Sequence, residues 1–356
     1  MYMMAGLIVI LLLVLTLPFA VKIVEEQLEI FLFIMGIAAV LISGLMTKEL
    51  IFEALQHPIP IATAVLVAGA LFYLLRERFQ AFMTKVFEVI PIPLVVALII
   101  IVLGLLSSLI TAIIAAIVLV EIIALLPLER KHKIVIVILS CYSIGMGAAL
   151  TPIGEPLATI TIAKLDEEFF YLLKLLGKFI IPGVVVFGVL GALYTSWALR
   201  GQEDIADTGI AATVDGSALE EDPEMEQDTW SSIIIRAFKI FLFVMALTFL
   251  GEGFVPLIDK YILTLDYRLL YWVNSVSAVL DNATLAAAEI SNKMSLMQIE
   301  AILMGLIIAG GMLIPGNIPN IISASKLKIT STEWAKIGLP IGVITMAIFY
   351  VILFVI

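Results

Sequence analysis

The sequence predicts an all-α polytopic membrane protein of about ten transmembrane segments, and three observations carry that reading. Of 356 residues, 62% are hydrophobic and 14% charged, against an apolar share nearer one half in soluble domains. Apolar stretches approaching or reaching the ~17–25 residues of a spanning helix recur along the whole chain. The net charge of −10 is concentrated: residues 201–229 hold ten acidic residues and no Lys or Arg, which leaves 20 acidic against 20 basic residues elsewhere.

The stretches fall at 5–22, 28–46, 59–75, 91–106, 108–127, 134–150, 179–199, 233–250, 262–280, 299–313 and 337–356, some of them broken. The first has no basic flank and no small-residue cleavage site, so it reads as a retained helix. The acidic stretch, poor in aromatics and framed by apolar blocks, reads as a solvated linker. The organisation expected is N-terminal spans over 1–89, a first transport unit over 90–200, the linker over 201–230 and a second unit over 231–356. A single cysteine, Cys141, excludes an internal disulfide framework, and no Cys/His cluster suggests zinc. No P-loop, H-E-x-x-H or G-x-S-x-G motif is present. An enzyme, a cofactor and a nucleic-acid partner are not expected.

The chain says something similar twice. "GAALTPIGEPLATITIAKL" from Gly147 resembles "GGMLIPGNIPNIISASKL" from Gly310, with Pro152 and Pro156 set against Pro315 and Pro319 and one residue inserted before the shared Lys-Leu. Upstream, "SSLITAIIAA" from Ser107 aligns with "SAVLDNATLAAA" from Ser277; downstream, "IIPGVVV" at 180 resembles "GLPIGVIT" at 338. Paired interruptions at corresponding places in two halves are a pointer to a transporter site. Proline removes a backbone donor and clashes with the preceding turn, so "TPIGEP" and "IPGNIP" each stop a helix. The freed main-chain groups at membrane depth need protein or a water-lined cavity, and helix ends there bring partial charges toward the bilayer centre.

Asp281 and Asn282 sit in a run that is otherwise apolar or small. An ionised Asp in mid-membrane costs about 2.5–3.5 kcal/mol on the insertion scale. Bound Na⁺ offsets that cost through oxygen ligands, and protonation removes it. A carboxylate that exchanges one for the other is the minimum of a sodium/proton antiporter. Thr284, one turn on, shares the Asp281 face. Glu155 is the acid of the first break, with Ile318 at the matching place in the second. Thr151 and Gly154 from the first break, Gly316, Asn317 and Asn320 from the second, and the hydroxyls of Ser107, Ser108 and Thr111 complete the expected pocket; Asp281 and Asn282 are the expected Na⁺ ligands. Glu121 and Glu289 are placed near an interface, Glu252 at a helix end before Gly253 and Pro256, and His57 and His132 in solvated loops.

The basic residues Arg76, Arg78 and Lys85 and the group Arg130, Lys131 and Lys133 are expected on one face, the cytoplasmic one. Lys164, Lys174 and Lys178 join them if 134–165 is a hairpin that returns to the same side, which puts the acidic linker outside.

At these motifs the chain resembles the ion transporter superfamily, closest to its NhaD-type sodium/proton antiporter and ArsB-like branches and to the related prokaryotic predicted cation transporters. That resemblance implies two inverted repeats, each with a re-entrant hairpin and a broken helix, a substrate held between their tips, a homodimer, and a place in the prokaryotic cell membrane. Sodium-coupled carboxylate carriers of the superfamily use Ser-Asn-Thr motifs at both breaks. Here the first break has Ser107, Ser108 and Thr111 without the Asn, and the second has Asp281-Asn282-Ala283-Thr284. The resident carboxylate favours cation exchange; sodium-coupled uptake of a small anion, a carboxylate or bicarbonate, is the alternative.

Overall fold

The computed structural model describes residues 2–207, 229–261, 265–279, 282–290 and 294–355. Asp281 and most of the acidic linker, residues 208–228, therefore lie outside the described residues. The described chain is helical with no strand: α1 Tyr2–Ala20, α2 Lys22–Glu26, α3 Leu28–Ser43, α4 Lys48–Gln56, α5 Pro58–Val89, α6 Ile92–Ile110, α7 Ala112–Leu125, α8 Arg130–Ala148, α9 Pro156–Leu165, α10 Tyr171–Asp207, α11 Trp230–Tyr261, α12 Tyr267–Val273, α13 Asn282–Glu289, α14 Leu296–Ala309, α15 Ile318–Leu327 and α16 Ser331–Phe354. Among the described residues six helices are long and apolar enough to cross a membrane. Outward faces of α10 and α16 present Val186, Leu193, Val343, Ile344 and Ile348. Apolar faces of this extent suit lipid, not water, and the chain is a membrane-embedded protein.

Local chemistry sets the helix ends. Thr47 and Asp266 cap α4 and α12, and capping boxes start α14 (Ser295, Gln298) and α16 (Thr330, Glu333). Proline occupies the first or second position of α5, α6, α9 and α15, where its missing N–H would be unsatisfied anyway. Single interior prolines do not stop a helix here: Pro182 and Pro340 lie inside α10 and α16. Pro256 likewise lies inside α11, so Glu252 is within a continuous helix and does not mark its end.

Side-chain contacts give each helix a direction. His132, in the first turn of α8, bonds the Tyr194 hydroxyl of α10 at 2.8 Å, and nearby Arg130 pairs with Glu333 of α16 and donates to the Lys328 carbonyl at 2.9 Å. Sixteen residues before Tyr194 on α10, Lys178 meets Glu300 of α14 at 3.0 Å. At 1.5 Å per residue these contacts stand about 24 Å apart, so the bundle has an Arg130 end and a Glu300 end. α8 begins at the first, and α10, which follows α9, begins at the second. α14 begins at the second, and α15 ends at Lys328, at the first. The segments α8–α9 and α14–α15 are thus broken crossings that run in opposite directions.

That result corrects the expected hairpin over 134–165. The element that turns back is the preceding pair. α6 rises alongside α8, with Ser143 donating to the Ile100 carbonyl and Thr151 to the Ser108 carbonyl. α7 descends: its first amide, Ala112, donates to the Gly154 carbonyl at 2.9 Å, and its Ala124 carbonyl accepts from Lys133 at the start of α8. In the other half, α12 and the 3₁₀ turn Asn274–Ala278 rise with α14, and α13 descends until Glu289 meets Asn274 at 3.0 Å.

Two further expectations change. His132 is buried and bonded, because its ring fills the gap between α8 and the Tyr194 and Trp197 rings of α10. α10 continues past that point, and α11 starts with Trp230 against Tyr73 of α5, whose C-terminal part leads into α6. Both flanks of the acidic linker therefore stand at the Arg130 end, on the side of Lys131 and Lys133 and not opposite them. Lys178 lies at the other end.

Candidate functional site

Each broken crossing resumes with the same local geometry. Glu155 precedes α9 at φ −156°, ψ 158°, and Asn317 precedes α15 at φ −156°, ψ 149°. Both helices run ten residues and close on a left-handed residue, Asp166 and Lys328. Matching these ends pairs Gly154 with Gly316, Glu155 with Asn317, Thr161 with Ser323, and Lys164-Leu165 with Lys326-Leu327 without an insertion. The proline-on-proline alignment is one residue out of register, and the residue facing Glu155 in the comparison is Asn317, not Ile318. Backbone packing decides this: a Cβ on Gly154 would stand 2.0 Å from the Ala148 carbonyl oxygen, and one on Gly316 2.5 Å from that of Gly310. Both glycines close the break where the chain crosses its own preceding helix.

The hairpin turns seat on the breaks. Ser107, fully buried, shares its one hydroxyl proton between the Gly104 carbonyl at 2.6 Å and the Ile144 carbonyl at 3.0 Å. Ser277, also fully buried, donates to the Leu306 carbonyl at 3.0 Å. Ile144 and Leu306 correspond in the register just given, so the same bond recurs. Ser108 donates to the Leu105 carbonyl at 2.7 Å, and Thr151 to Ser108 as above. Thr111 caps α7 through its hydroxyl oxygen while holding φ 75°, ψ 148°, a conformation that costs of order 1–3 kcal/mol for a residue with a side chain. Aligned from Ser107 and Ser277, the position of Thr111 is that of Asp281, one residue before a helix start in each half.

The predicted pocket is therefore assembled in part. Ser107, Ser108, Thr111, Thr151, Gly154 and Glu155 come together at the first hairpin turn and break, all but Thr111 and Gly154 as buried polar side chains. Gly316 approaches Ser277 and Ala278 at the second. A Cβ on Gly145 would lie 2.7 Å from the Asn317 amide nitrogen, so the second break abuts α8 one turn before the first. α7 packs on α15 and α9 on α13, which interleaves the halves. Asn320 uses its amide hydrogens on the Gly310 and Leu313 carbonyls, at 2.7 and 2.9 Å, and holds the break closed. Asn282 is buried at the start of α13, and its amide nitrogen has no hydrogen-bond partner among the described residues. Thr284 lies within α13; its side chain is outside what is described, as is Asp281. The crevice beside the second break, lined by Val14, Leu32, Val279, Ile314, Pro315 and Ser331 among others, is mainly apolar and offers a cation little.

A family model described as "Protein of unknown function (DUF1646)" matches residues 4–356. The chain belongs to that family. No curated protein matches it.

Sequence reasoning undervalued three polar contacts. Lys326 of α15 pairs with Glu121 of α7 at 3.0 Å, largely buried. Cys141 of α8 meets Ser323 of α15 at 3.4 Å. Asn274 and Glu289 bond across the second hairpin. The sequence carries a signal for the last: an acid and an amide inside apolar sequence, each about two turns from Asp281.

Proposed function

We propose that this family member is a secondary active ion transporter, a sodium/proton antiporter in which Asp281 exchanges Na⁺ for H⁺ by alternating access. The observation that carries the reading is the meeting of two oppositely running broken crossings, each with a hairpin turn seated on its break. The two hairpins are the re-entrant elements and the two units, over 90–200 and 231–356, are inverted repeats. Discontinuous helices of this kind serve transporters as ion sites, because freed carbonyls and helix ends converge away from lipid.

Chemistry favours a cation as substrate. Ser107, Ser108 and Thr151 each give their one hydroxyl proton to a carbonyl, so what they keep for a ligand is oxygen lone pairs. A hard cation takes such oxygens; an anion needs the protons. Glu155 and Asn317 occupy equivalent positions at the two breaks and add a carboxylate and an amide. Na⁺ is cargo here, and Asp281, Asn282 and Thr284 are its proposed contacts on the second side.

Reconstituted into proteoliposomes, the chain is expected to move protons on an imposed Na⁺ gradient, and Asp281→Asn is expected to abolish that flux with the protein still folded. Unchanged exchange in Asp281→Asn overturns the assignment. Na⁺-dependent uptake of labelled bicarbonate or a carboxylate, without proton exchange, would select the symport alternative.

A further inference from the structure

The second hairpin holds a buried acid that the exchange site does not use. Glu289 closes α13 and is 2% exposed; Asn274, opposite it, is fully buried. The amide nitrogen of Asn274 donates to Oε2 of Glu289 at 3.0 Å. That bond leaves Oε1 of Glu289 and Oδ1 of Asn274, both buried and both without a hydrogen-bond partner among the described residues. Each is an acceptor, so they cannot satisfy one another while the carboxyl is ionised. An ionised carboxylate with an unsatisfied oxygen in a hydrocarbon-embedded core is costly.

One proton removes both defects. Placed on Oε1, it turns Glu289 into a donor toward Oδ1 of Asn274, and amide and acid then exchange two hydrogen bonds in a ring. From this geometry we infer that Glu289 and Asn274 form a proton-binding site, separate from the break, with the proton on the Glu289 carboxyl. The site stands about 10 Å along α13 from the break, seven residues at 1.5 Å each, toward the Glu300 end. It deepens the antiport reading by supplying a relay between water at that end and the exchanging carboxylate.

The surroundings leave Glu289 to its amide. On the elements packed against α13, the charged residues are Lys164 of α9, Arg236, Lys239, Glu252, Asp259 and Lys260 of α11, and Glu300 of α14. The one side-chain partner of Glu289 among the described residues is Asn274. The first hairpin has no counterpart. In the Ser107–Ser277 register, Asn274 corresponds to Gly104 and Glu289 to the buried Leu119. The relay thus belongs to one hairpin and one end of the bundle.

Infrared difference spectroscopy on the full chain in lipid nanodiscs, over a pH titration, tests the assignment without needing transport. The wild type is expected to show a protonated carboxylic-acid band at neutral pH that Glu289→Gln lacks and Asp281→Asn keeps. Gln reproduces the two-bond ring with Asn274, so Glu289→Gln is expected to melt like the wild type. In Asn274→Leu the band is expected to move to the frequency of an acid without a ring partner. A band undiminished in Glu289→Gln, or no band in the wild type, overturns the proposal. So does a band that Na⁺ erases with release of a proton, which would make the pair a cation site. Band loss in Glu289→Gln together with absent Na⁺-driven proton flux in the wild type would sink the antiporter reading and leave the proton site standing.

Discussion

The two hairpin-and-break units share a scaffold and differ in chemistry. In both, a buried serine bonds a carbonyl of the broken crossing, Ser107 to Ile144 and Ser277 to Leu306. In both, a glycine lets the chain cross its own helix, and an extended residue restarts it. Yet Thr111 stands where the other unit has Asp281, Glu155 where it has Asn317, and Gly104 and Leu119 where it has Asn274 and Glu289. Gly104 packs on Ser143, and its counterpart Asn274 packs on Gly305, the counterpart of Ser143: the small and large partners are exchanged while the contact is kept. Backbone geometry is what the two units hold in common, and ionisable groups are free to sit in one of them.

The sharpest way to break this comparison is to ask whether the units run in opposite directions across the bilayer. With Cys141 buried, single exposed cysteines report sidedness. Lys131→Cys and Ser231→Cys are expected to react with a membrane-impermeant maleimide from one side of oriented vesicles, and Lys174→Cys from the other only. Labelling of all three from one side would return 134–165 to a hairpin and dissolve the inversion.

The glycines come next in size. In Gly154→Ala the new methyl meets the Ala148 carbonyl, and in Gly316→Ala that of Gly310. Backbone cannot swing aside as a side chain does, so each is expected to cost about 3 kcal/mol or more, read as lost thermal stability or lost monodisperse protein. Gly154→Ala should be the worse, since its contact is the shorter. Equal tolerance of both would mean that the chain does not pack on its own helix at either break.

How much of this could be read from the residues alone divides along the same line. Composition and apolar runs suffice for a helical membrane protein, and the doubled Pro/Gly motifs locate both breaks. Direction was not legible, because it depends on which neighbour a helix contacts: Lys178 meets Glu300, and Arg130 meets Glu333, only after folding. Register slipped by one because prolines are conspicuous, whereas the restart is set by the extended Glu155 and Asn317 and by the two glycines. His132 looked like a loop residue since it stands among charges; its burial comes from Tyr194 and Trp197, sixty-odd residues away. A lone proline was over-read at Pro256, since one lost hydrogen bond is tolerated when neighbouring helices pack the kink.

Thr111 offers a smaller test of the same contrast. Its φ of 75° is one glycine adopts freely, so Thr111→Gly is expected to raise stability by up to about 1 kcal/mol, the relieved strain being partly offset by loss of the weak 3.4 Å cap to Ile114. Thr111→Ala keeps the strain and loses the cap, so it should destabilise. If Thr111→Gly also lowers Na⁺-driven flux, the hydroxyl serves the ligand; if flux is unchanged, the strain has no part in transport.

The smallest effect probes the shared serine bond. Ser107→Ala and Ser277→Ala each remove one buried hydroxyl hydrogen bond to a helix carbonyl that has its own intrahelical partner, so each is expected to cost about 1 kcal/mol. Ser107 divides its single proton between the Gly104 and Ile144 carbonyls, and Ser277 gives its own to Leu306 alone, so the two losses are expected to be similar. If the units are equivalent scaffolds, the double variant should lose the sum of the two, within about 0.5 kcal/mol, because the sites share no partner. A strongly non-additive loss in thermal melts would mean that the two hairpin turns feel one another through the space between the breaks. Repeating the cycle with and without Na⁺ then separates scaffold from site: coupling that develops only with Na⁺ present places the ion between the turns.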